Sequence, residues 1–353
     1  MEIPFFNIEF TEEMKNAAIT SLQNEKFVLG ESVFKFEEEF ARYIGTKYAI
    51  SVNSGNAALH LSLLSLGINQ NHKVITSTNS FIASSNCILM CGAKPILCDI
   101  SESDGNMDIS TNNDDFDAII PVHIYGNPCD YDSIAEISEE REIPIIEDAA
   151  QAHGATLNNK KIGSLGTVGC FSFYTTKNMT VGGDGGIVTT DNEEIAEKIQ
   201  SLRDNGRSKN RNEHDKLGFT MRLNTINAAM GRVQLRHLDE NNRKKREIYN
   251  LYKKYLVNDC ILPENPNGKS VFHQIVIKSS NRDEIIKHMT QNNIGTAVHY
   301  PIPIHKQPLY SNFNFKLEKS EKFCNEILSI PSYPTLQKDE VGYVCEKLNE
   351  VLS

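Results

Sequence analysis

Short apolar stretches alternate with amphipathic stretches between about residue 46 and residue 204. Runs rich in Val, Ile, Phe and Ala predict strands at 47–52, 73–78, 94–100, 117–124, 143–148, 168–174 and 185–190. Apolar positions at helical spacing predict helices between several of them, as at 56–67 and 130–142. This alternation is typical of an α/β domain with a mostly parallel sheet.

The rest of the chain predicts a second, smaller unit. A long helical pattern runs from Thr225 to about Tyr255, and a strand at 271–279 and a helix near 282–291 follow it. We expect a large α/β domain at 1–240, which includes an N-terminal helical segment, and a small C-terminal α+β domain at 241–353. A chain of 353 residues is long enough for two such cores.

Composition narrows the classes of function. The chain has 36 Lys+Arg against 46 Asp+Glu, a net charge of −10, which argues against binding to a nucleic-acid backbone as the main activity. The apolar runs are too short to span a bilayer, and the N-terminal residues do not resemble a signal peptide. The basic stretch at 243–246 is interpreted as a solvated helix face.

The eight cysteines are scattered and mostly lie in apolar runs. They form no CxxC pair, and Cys87 and Cys91 lack a matching second pair or histidines at zinc spacing. We therefore expect reduced, buried thiols in a cytoplasmic protein, and no metal site.

In open α/β sheets, ligands bind at the carboxyl ends of the strands. The strand at 143–148 ends in Glu147 and Asp148, and Gln151 follows three residues later. A buried carboxylate needs a cation or hydrogen-bond donors. Taken alone, Asp148 is better interpreted as the cap of a helix that starts at Ala149. No role is assigned to Glu147.

Lys177 follows the strand at 168–174 and precedes a glycine-rich turn. A solvated lysine is the simplest explanation, but neighbouring strands would bring Lys177 to Asp148. A lysine can form a Schiff base with an aldehyde, and an aspartate can keep a pyridine nitrogen protonated. Together these two side chains predict a site for pyridoxal 5′-phosphate.

A phosphate site is predicted where the strand at 47–52 meets the next helix. Free N–H groups at the helix start, in the turn of Gly55 and Asn56, can hold an anion, and Ser172 can donate a further bond. Phe81 could stack on a flat ring. Each prediction has a simpler alternative. The turn at Asn56 could be an ordinary helix cap, the Ser172 hydroxyl could be satisfied inside the protein, and Phe81 could be a core residue.

In this order along the chain, these segments resemble the DegT-type nucleotide-sugar aminotransferases, which are fold-type-I pyridoxal phosphate enzymes. The resemblance is carried by SGNAALHLSLLSLG, PVHIYGNPCDYD, EDAAQAHGA, GCFSFYTTKN, GDGG and AVHYPIPIHKQP, in family order. It implies a large domain with a seven-stranded, mostly parallel sheet and a small C-terminal α+β domain.

The resemblance also implies roles for individual residues. Lys177 matches the lysine that forms the Schiff base and later moves the proton. Asp148 matches the partner of the pyridinium nitrogen. The remaining cofactor contacts are matched by Gln151 beside the phenolic oxygen, Phe81 on the ring, and Ser172, Gly55 and Asn56 at the phosphate.

Two positions depart from the family pattern. Asn56 replaces the usual threonine after Ser-Gly, so a backbone donor remains but a hydroxyl is lost. Thr220, in GFTMR, replaces an asparagine that reaches the phosphate from the neighbouring subunit. Arg222 matches the family arginine and could serve either the active site or the interface.

The segment AVHYPIPIHKQP resembles a loop that places a His-Tyr pair near the sugar, often from the partner subunit. It is most similar to the versions in enzymes that aminate 3-keto nucleotide sugars. His299, Tyr300 and His305 are therefore the substrate-side candidates. A structural turn fixed by the prolines, or a histidine satisfied in an interface, is the alternative.

The resemblance implies a homodimer with shared active sites that aminates a keto nucleotide-diphosphate sugar from L-glutamate by ping-pong transamination. A 3-keto sugar is favoured and a 4-keto sugar is possible, for amino sugars of surface glycans. Family members with histidine in place of the lysine dehydrate sugars, so Lys177 favours transamination. Another fold-type-I enzyme (a sugar dehydratase or aldolase) and a non-catalytic cofactor-binding regulator remain alternatives.

Overall fold

A computed structural model describes residues 1–352 except 113, 209, 211 and 258. The strands are β1 (Tyr48–Val52), β2 (Lys73–Ser77), β3 (Lys94–Cys98), β4 (Ala118–Ile120), β5 (Ile146–Asp148), β6 (Thr156–Leu157), β7 (Lys160–Lys161), β8 (Val168–Ser172), β9 (Gly186–Thr190), β10 (Gly268–Lys269), β11 (Ile275–Lys278) and β12 (Ile327–Ile330). The α-helices are α1 (Glu12–Asn24), α2 (Glu31–Ile44), α3 (Gly55–Ser65), α4 (Ala83–Met90), α5 (Tyr131–Arg141), α6 (Glu193–Leu202), α7 (Thr225–Tyr255), α8 (Arg282–Gln291), α9 (Glu318–Glu326) and α10 (Lys338–Leu352).

The main sheet contains all seven predicted strands in the order β1-β9-β8-β5-β4-β2-β3. Single bridges from Ile119 to Ile145 and from Val122 to Asp148 join β4 to β5. Strand β9 is antiparallel to both of its neighbours, and the other adjacent strands are parallel. The prediction of a mostly parallel seven-stranded sheet is confirmed.

Helices cover both faces of this sheet, which explains why its strands are apolar without alternation. On one face Phe36 and Phe40 of α2 pack against Phe171 and Phe173. On the other face α3 and α6 pack against the β1, β8 and β9 side of the sheet, and α4 packs against β2 and β3. Both apolar cores extend to the carboxyl edge of the sheet. The polar residues that follow β5 and β8 therefore lie next to buried apolar side chains.

Helix α7 has the bounds that its sequence pattern predicts. Its first half packs on α1 and α2, and its second half packs on α10. The fully buried Tyr252 lies in the core of the C-terminal unit, where β11 and β12 pair antiparallel beside α8 and α10. The domain boundary predicted at 240/241 falls inside α7, and the division into 1–240 and 241–353 stays a prediction.

The interpretation of 243–246 as a solvated face is wrong for two of its residues. Arg243 is exposed, but Arg246 binds Glu264 and the carbonyl of Ser270. Lys245 is only 5% exposed. The stretch turns through the helix, so its residues point both outward and into the molecule.

The cysteines are free thiols, as predicted, and six of the eight are buried. Among the described residues, no cluster of His, Cys, Asp and Glu could hold a metal ion. No helix in the described part of the chain has an apolar segment long enough to cross a bilayer.

A buried ion pair joins α2, β1 and the end of α6. The Arg203 guanidinium binds Glu37 and the carbonyl of Ser51, the latter at 2.6 Å. The same carboxylate accepts the Ser51 N–H at 2.9 Å and its hydroxyl at 2.7 Å. Removal of one charge would leave the other buried without its partner.

We predict that Arg203→Met lowers the free energy of unfolding by about 3–5 kcal/mol, because it isolates the Glu37 carboxylate. Glu37→Met/Arg203→Met should lose less than the sum of the two single variants. Urea unfolding measures all three. Losses that simply add would contradict a coupled pair.

Candidate active site

Asp148 and Lys177 are brought together because β5 and β8 are parallel neighbours, with Asp148 opposite Cys170. Lys177 follows the end of β8 in a turn that its own N–H closes on the carbonyl of Tyr174, at 2.8 Å. Each charge influences the pKa of the other group. The two side chains therefore share one electrostatic environment at the carboxyl edge of the sheet.

The Asp148 carboxylate is buried and has few donors. One oxygen accepts the Ser84 hydroxyl at 2.7 Å, and the other accepts the N–H of Ala150 at 3.2 Å. Burial raises its pKa, while Ser84, Ala150 and the charge of Lys177 act in the opposite direction. A helix starting at Ala149 is wrong: residues 149–154 form turns, so Asp148 does not cap a helix.

Among the described residues, no hydrogen-bond or ion-pair partner lies within reach of the Lys177 amine. Burial lowers its pKa to about 8, and the negative charge of Asp148 partly offsets this effect. A lysine that is partly neutral near neutral pH can attack a carbonyl, which a fully protonated one cannot. The simple alternative of a solvated lysine does not fit this environment.

The predicted phosphate turn lies directly against the end of β8. A Cβ on Gly55 would come within 2.7 Å of the Ser172 Cβ, so only glycine allows the two segments to approach this closely. Ser54 caps α3 by accepting the N–H of Ala57 at 3.1 Å. The first N–H groups of α3 and the Ser172 hydroxyl thus border the same space.

Three further candidates lie on the other side of Asp148. Gln151 accepts the N–H of Tyr125 at 2.7 Å and donates to the Tyr300 hydroxyl at 3.4 Å. The rings of Phe81 and Tyr300 are 6.0 Å apart, and Phe81 is 56% exposed. An exposed aromatic ring beside a buried carboxylate is open to stacking on a planar ligand.

His299 is held beside Tyr300 within the same chain. Its ring stacks on Phe5 at 5.6 Å, Nδ1 lies 3.0 Å from the Ser329 hydroxyl, and its carbonyl accepts the Tyr125 hydroxyl at 2.6 Å. Burial, together with the charge of Lys177, lowers the pKa of His299 to about 4. The ring is therefore neutral at physiological pH.

The remaining predicted residues make contacts elsewhere. Both ring nitrogens of His305 are engaged, by Thr78 at 2.7 Å and Glu321 at 3.2 Å, which favours the structural alternative. Thr220 is exposed and donates to Asn205 at 3.0 Å. Arg222 pairs with Asp204 at 2.5 Å. Asn56, whose buried Oδ1 has no partner among the described atoms, lies in the first turn of α3.

Sequence reasoning missed several residues around the pair. Ser84, in the segment that contains Phe81, supplies the hydroxyl donor to Asp148. Asn178, next to Lys177, donates to Asn242 and to the Val271 carbonyl, both at 2.9 Å, and thereby anchors the lysine turn. The one sequence signal for this anchor is that Asn178 directly follows Lys177.

Glu147, to which the sequence assigned no role, has a structural one. Its carboxylate accepts the backbone N–H groups of Gly163, Leu165 and Gly166 at 2.7–2.8 Å. It points away from Asp148 and fixes the turn that leads into β8.

A family model described as the DegT/DnrJ/EryC1/StrS aminotransferase family matches residues 9–349. A "Pleiotropic regulatory protein" of Geobacillus stearothermophilus is 36% identical, covering 99% of this chain and 98% of its own length. The dTDP-3-amino-3,6-dideoxy-alpha-D-galactopyranose transaminase of Aneurinibacillus thermoaerophilus is also 36% identical, covering 98% and 99%. The solved structure of S. venezuelae DesV with a ketimine intermediate has a TM-score of 0.95 at 33% identity, covering 99% and 98%.

The fold and the Lys177–Asp148 pair define an enzyme of the pyridoxal-phosphate-dependent, fold-type-I class. The chain belongs to the DegT/DnrJ/EryC1/StrS aminotransferase family.

The residues present fit pyridoxal 5′-phosphate. The Asp148 carboxylate could accept a ring N–H, the unpartnered Lys177 amine could bind the aldehyde, and the close approach of Gly55 to Ser172 leaves a small cradle for the phosphate. Phe81 is available to cover the ring, and Gln151 lies on the Tyr300 side.

We predict that Gly55→Ala weakens pyridoxal phosphate binding by about tenfold or more, because the added methyl group overlaps Ser172 and forces the cradle apart. Equilibrium titration of the apoenzyme measures this. Gly342→Ala on α10 is the matched control, since its Cβ meets no atom within 4 Å. It should stabilise the fold by about 0.5–1 kcal/mol and leave cofactor affinity unchanged. Equal affinity in both variants would contradict the cradle.

We also predict that the reactivity of Lys177 in the apoenzyme rises with pH and levels off above about 8, because only the neutral amine is nucleophilic and burial lowers its pKa to about 8. Competitive acetylation with quantification of the Lys177 peptide measures this profile. Asp148→Asn should move the midpoint to lower pH, since it removes the charge that favours the ammonium. Reactivity that keeps rising towards 10.5, the reference value, would contradict the buried amine.

Proposed function

We propose that this enzyme transfers the amino group of L-glutamate to the keto group of a sugar carried on a nucleoside diphosphate, in two half-reactions. The observation that carries the proposal is a lysine–aspartate pair, with His299 and Tyr300 of the same chain beside it. A 3-keto sugar is the preferred acceptor and a 4-keto sugar the second choice. The product would serve amino-sugar and surface-glycan synthesis.

Pyridoxal phosphate, when bound, supplies an electron sink and carries the amino group between the two half-reactions. Asp148 would hold the ring nitrogen in its protonated form through a charge-assisted hydrogen bond. Its burial strengthens this bond, since few donors compete for the carboxylate. Ser84 and the N–H of Ala150 hold the carboxylate in one orientation.

Lys177 acts both as the attachment point and as the base. Its free amine would take up the proton from the α-carbon of the amino substrate and deliver that proton to the carbon of the cofactor that carries the amino group. A pKa of about 8 suits both directions of transfer near neutral pH. The Asn178 anchor limits how far the lysine turn can move.

The substrate side is formed by a neutral His299 and by Tyr300. The Tyr300 hydroxyl is held by Gln151, and burial raises its pKa well above the range of neutral pH. Both side chains therefore act as uncharged hydrogen-bonding groups towards sugar hydroxyls. The 3-keto preference is supported by the similarity to the Aneurinibacillus transaminase, whose name specifies a 3-amino sugar, and by the HYPIPIH segment.

A homodimer with shared active sites is supported by the exposed apolar side chains around α1 and α2. Phe27 is 69% exposed and Phe34 is 53% exposed, and Phe10 and Leu22 add to this surface. Large exposed aromatics in one region are typical of a subunit interface. Thr220 and Arg222 would lie near the partner's phosphate site in such a dimer.

We predict that L-glutamate converts the aldehyde form of the bound cofactor to the amine form, and that a 3-keto nucleotide sugar restores the aldehyde form. Absorbance in single-turnover mixing follows both steps, with other amino donors and a 4-keto sugar as comparisons. Lys177→Ala should perform neither step. Asp148→Asn should slow both by about 10²–10³-fold.

A cofactor band that no amino donor changes would contradict the transaminase and favour the regulator, the alternative kept open by the similarity to a protein named as a pleiotropic regulator. Loss of water from the sugar without amino transfer would indicate the dehydratase.

A further inference from the structure

A cavity of about 320 Å³ lies on one side of the Lys177 turn. The N-terminal segment 6–11, the turn 175–178, the middle of α7 and the segment 332–335 enclose it. Its described lining includes Lys177 but neither Asp148 nor Ser172. The cavity therefore borders the predicted cofactor site at Lys177.

Lys245 reaches this cavity from α7. Its amine donates to Asn178 Oδ1 at 3.0 Å and to the His273 carbonyl at 3.1 Å. Among the described residues, no carboxylate lies within ion-pair distance of this amine. An ammonium has three donors, so one donor and the whole charge remain unmatched. Burial lowers the pKa of Lys245 to about 7, as expected for a cation without a counter-ion.

The groups packed around Lys245 do not supply the missing anion. Asn178 and His273 are neutral, and the His273 Nδ1 lies 3.3 Å from the same Asn178 oxygen. Burial holds the pKa of His273 well below its usual range. The charges that lower the pKa of His273 further belong to other bases: Lys177, Lys245, His299 and His153.

The cavity lining as a whole has an excess of amines that lack ion pairs. Lys177, Lys244 and Lys245 line it, and no ion pair to them occurs among the described residues. Of the other polar residues in the lining, Glu240 pairs with Arg243, and His237 Nε2 lies 2.9 Å from a Glu13 oxygen. Glu9 is the remaining acid of the lining, and it is exposed. Thr175 and Thr176 add hydroxyl donors.

We propose that this cavity is an anion subsite in which Lys245, with Lys244 at its mouth, binds an oxyanion of a substrate. Two substrates of the proposed function carry such groups: the amino donor has carboxylates and the sugar nucleotide has a diphosphate. Both would be held by charge-assisted hydrogen bonds next to the turn that carries Lys177. The identity of the anion rests on the proposed function, whereas the subsite itself rests on the lining.

The test is calorimetric titration of the cofactor-loaded enzyme with thymidine diphosphate and, separately, with glutarate, which lacks the reacting amine. Lys245→Met should weaken binding of at least one probe by about tenfold or more. Lys244→Met should weaken the same probe. Lys253→Met, an exposed lysine on the same helix, is the matched control and should bind as the wild type.

The pattern identifies the anion. Weakening for thymidine diphosphate alone assigns the diphosphate, and weakening for glutarate alone assigns the donor carboxylate. Weakening for both means that the two substrates use the subsite in turn. A wild type that binds neither probe, or lysine variants that bind both normally, would overturn the proposal.

Two controls distinguish a loss of anion binding from a folding defect and from a failure of the transaminase proposal. Cofactor content and circular dichroism report whether Lys245→Met is intact. If it is not, Lys244→Met carries the test alone, and unchanged binding in that variant overturns the subsite. Because titration needs no turnover, binding that depends on these lysines stands even if the transaminase proposal fails. Conversely, active transamination with normal binding in the variants would overturn only the subsite.

Discussion

The arrangement depends on one electrostatic constraint: a carboxylate and an amine are buried at the same edge of an apolar sheet with few other partners. Among the described residues, Asp148 has two donors, Ser84 and the N–H of Ala150, and the Lys177 amine has no partner except the nearby charge of Asp148. Each would be more stable as an ion in water. The sheet holds them there because β5 and β8 are parallel neighbours, fixed by two apolar cores.

The fold was largely predictable because its signal is repeated along the chain. All seven strands of the main sheet, helix α7 and helix α8 lie where the apolar pattern puts them. The order of strands was not predictable, since β1 lies beside β9 rather than β2. Strand order is decided by long-range pairing, about which the local pattern contains no information.

The residues of the site also divide into those that the local sequence pattern predicts and those that depend on long-range packing. Residues at strand ends, such as Asp148 and Ser172, could be found because the chain itself brings them to one edge. Lys245 could not be found in this way, because a run of four basic residues is usually solvated and the sequence does not show which of them the rotation of α7 turns inward. His305 is the converse case: a motif predicts substrate contact, whereas in the structure Thr78 and Glu321 engage both ring nitrogens.

The most direct measurement of the central claim is borohydride reduction of the protein loaded with pyridoxal phosphate, followed by peptide mass analysis. The account predicts one phosphopyridoxyl adduct per chain, on the peptide that contains Lys177, and none in Lys177→Arg. An adduct on another lysine, Lys245 above all, or no adduct in a protein that binds the cofactor, would contradict it.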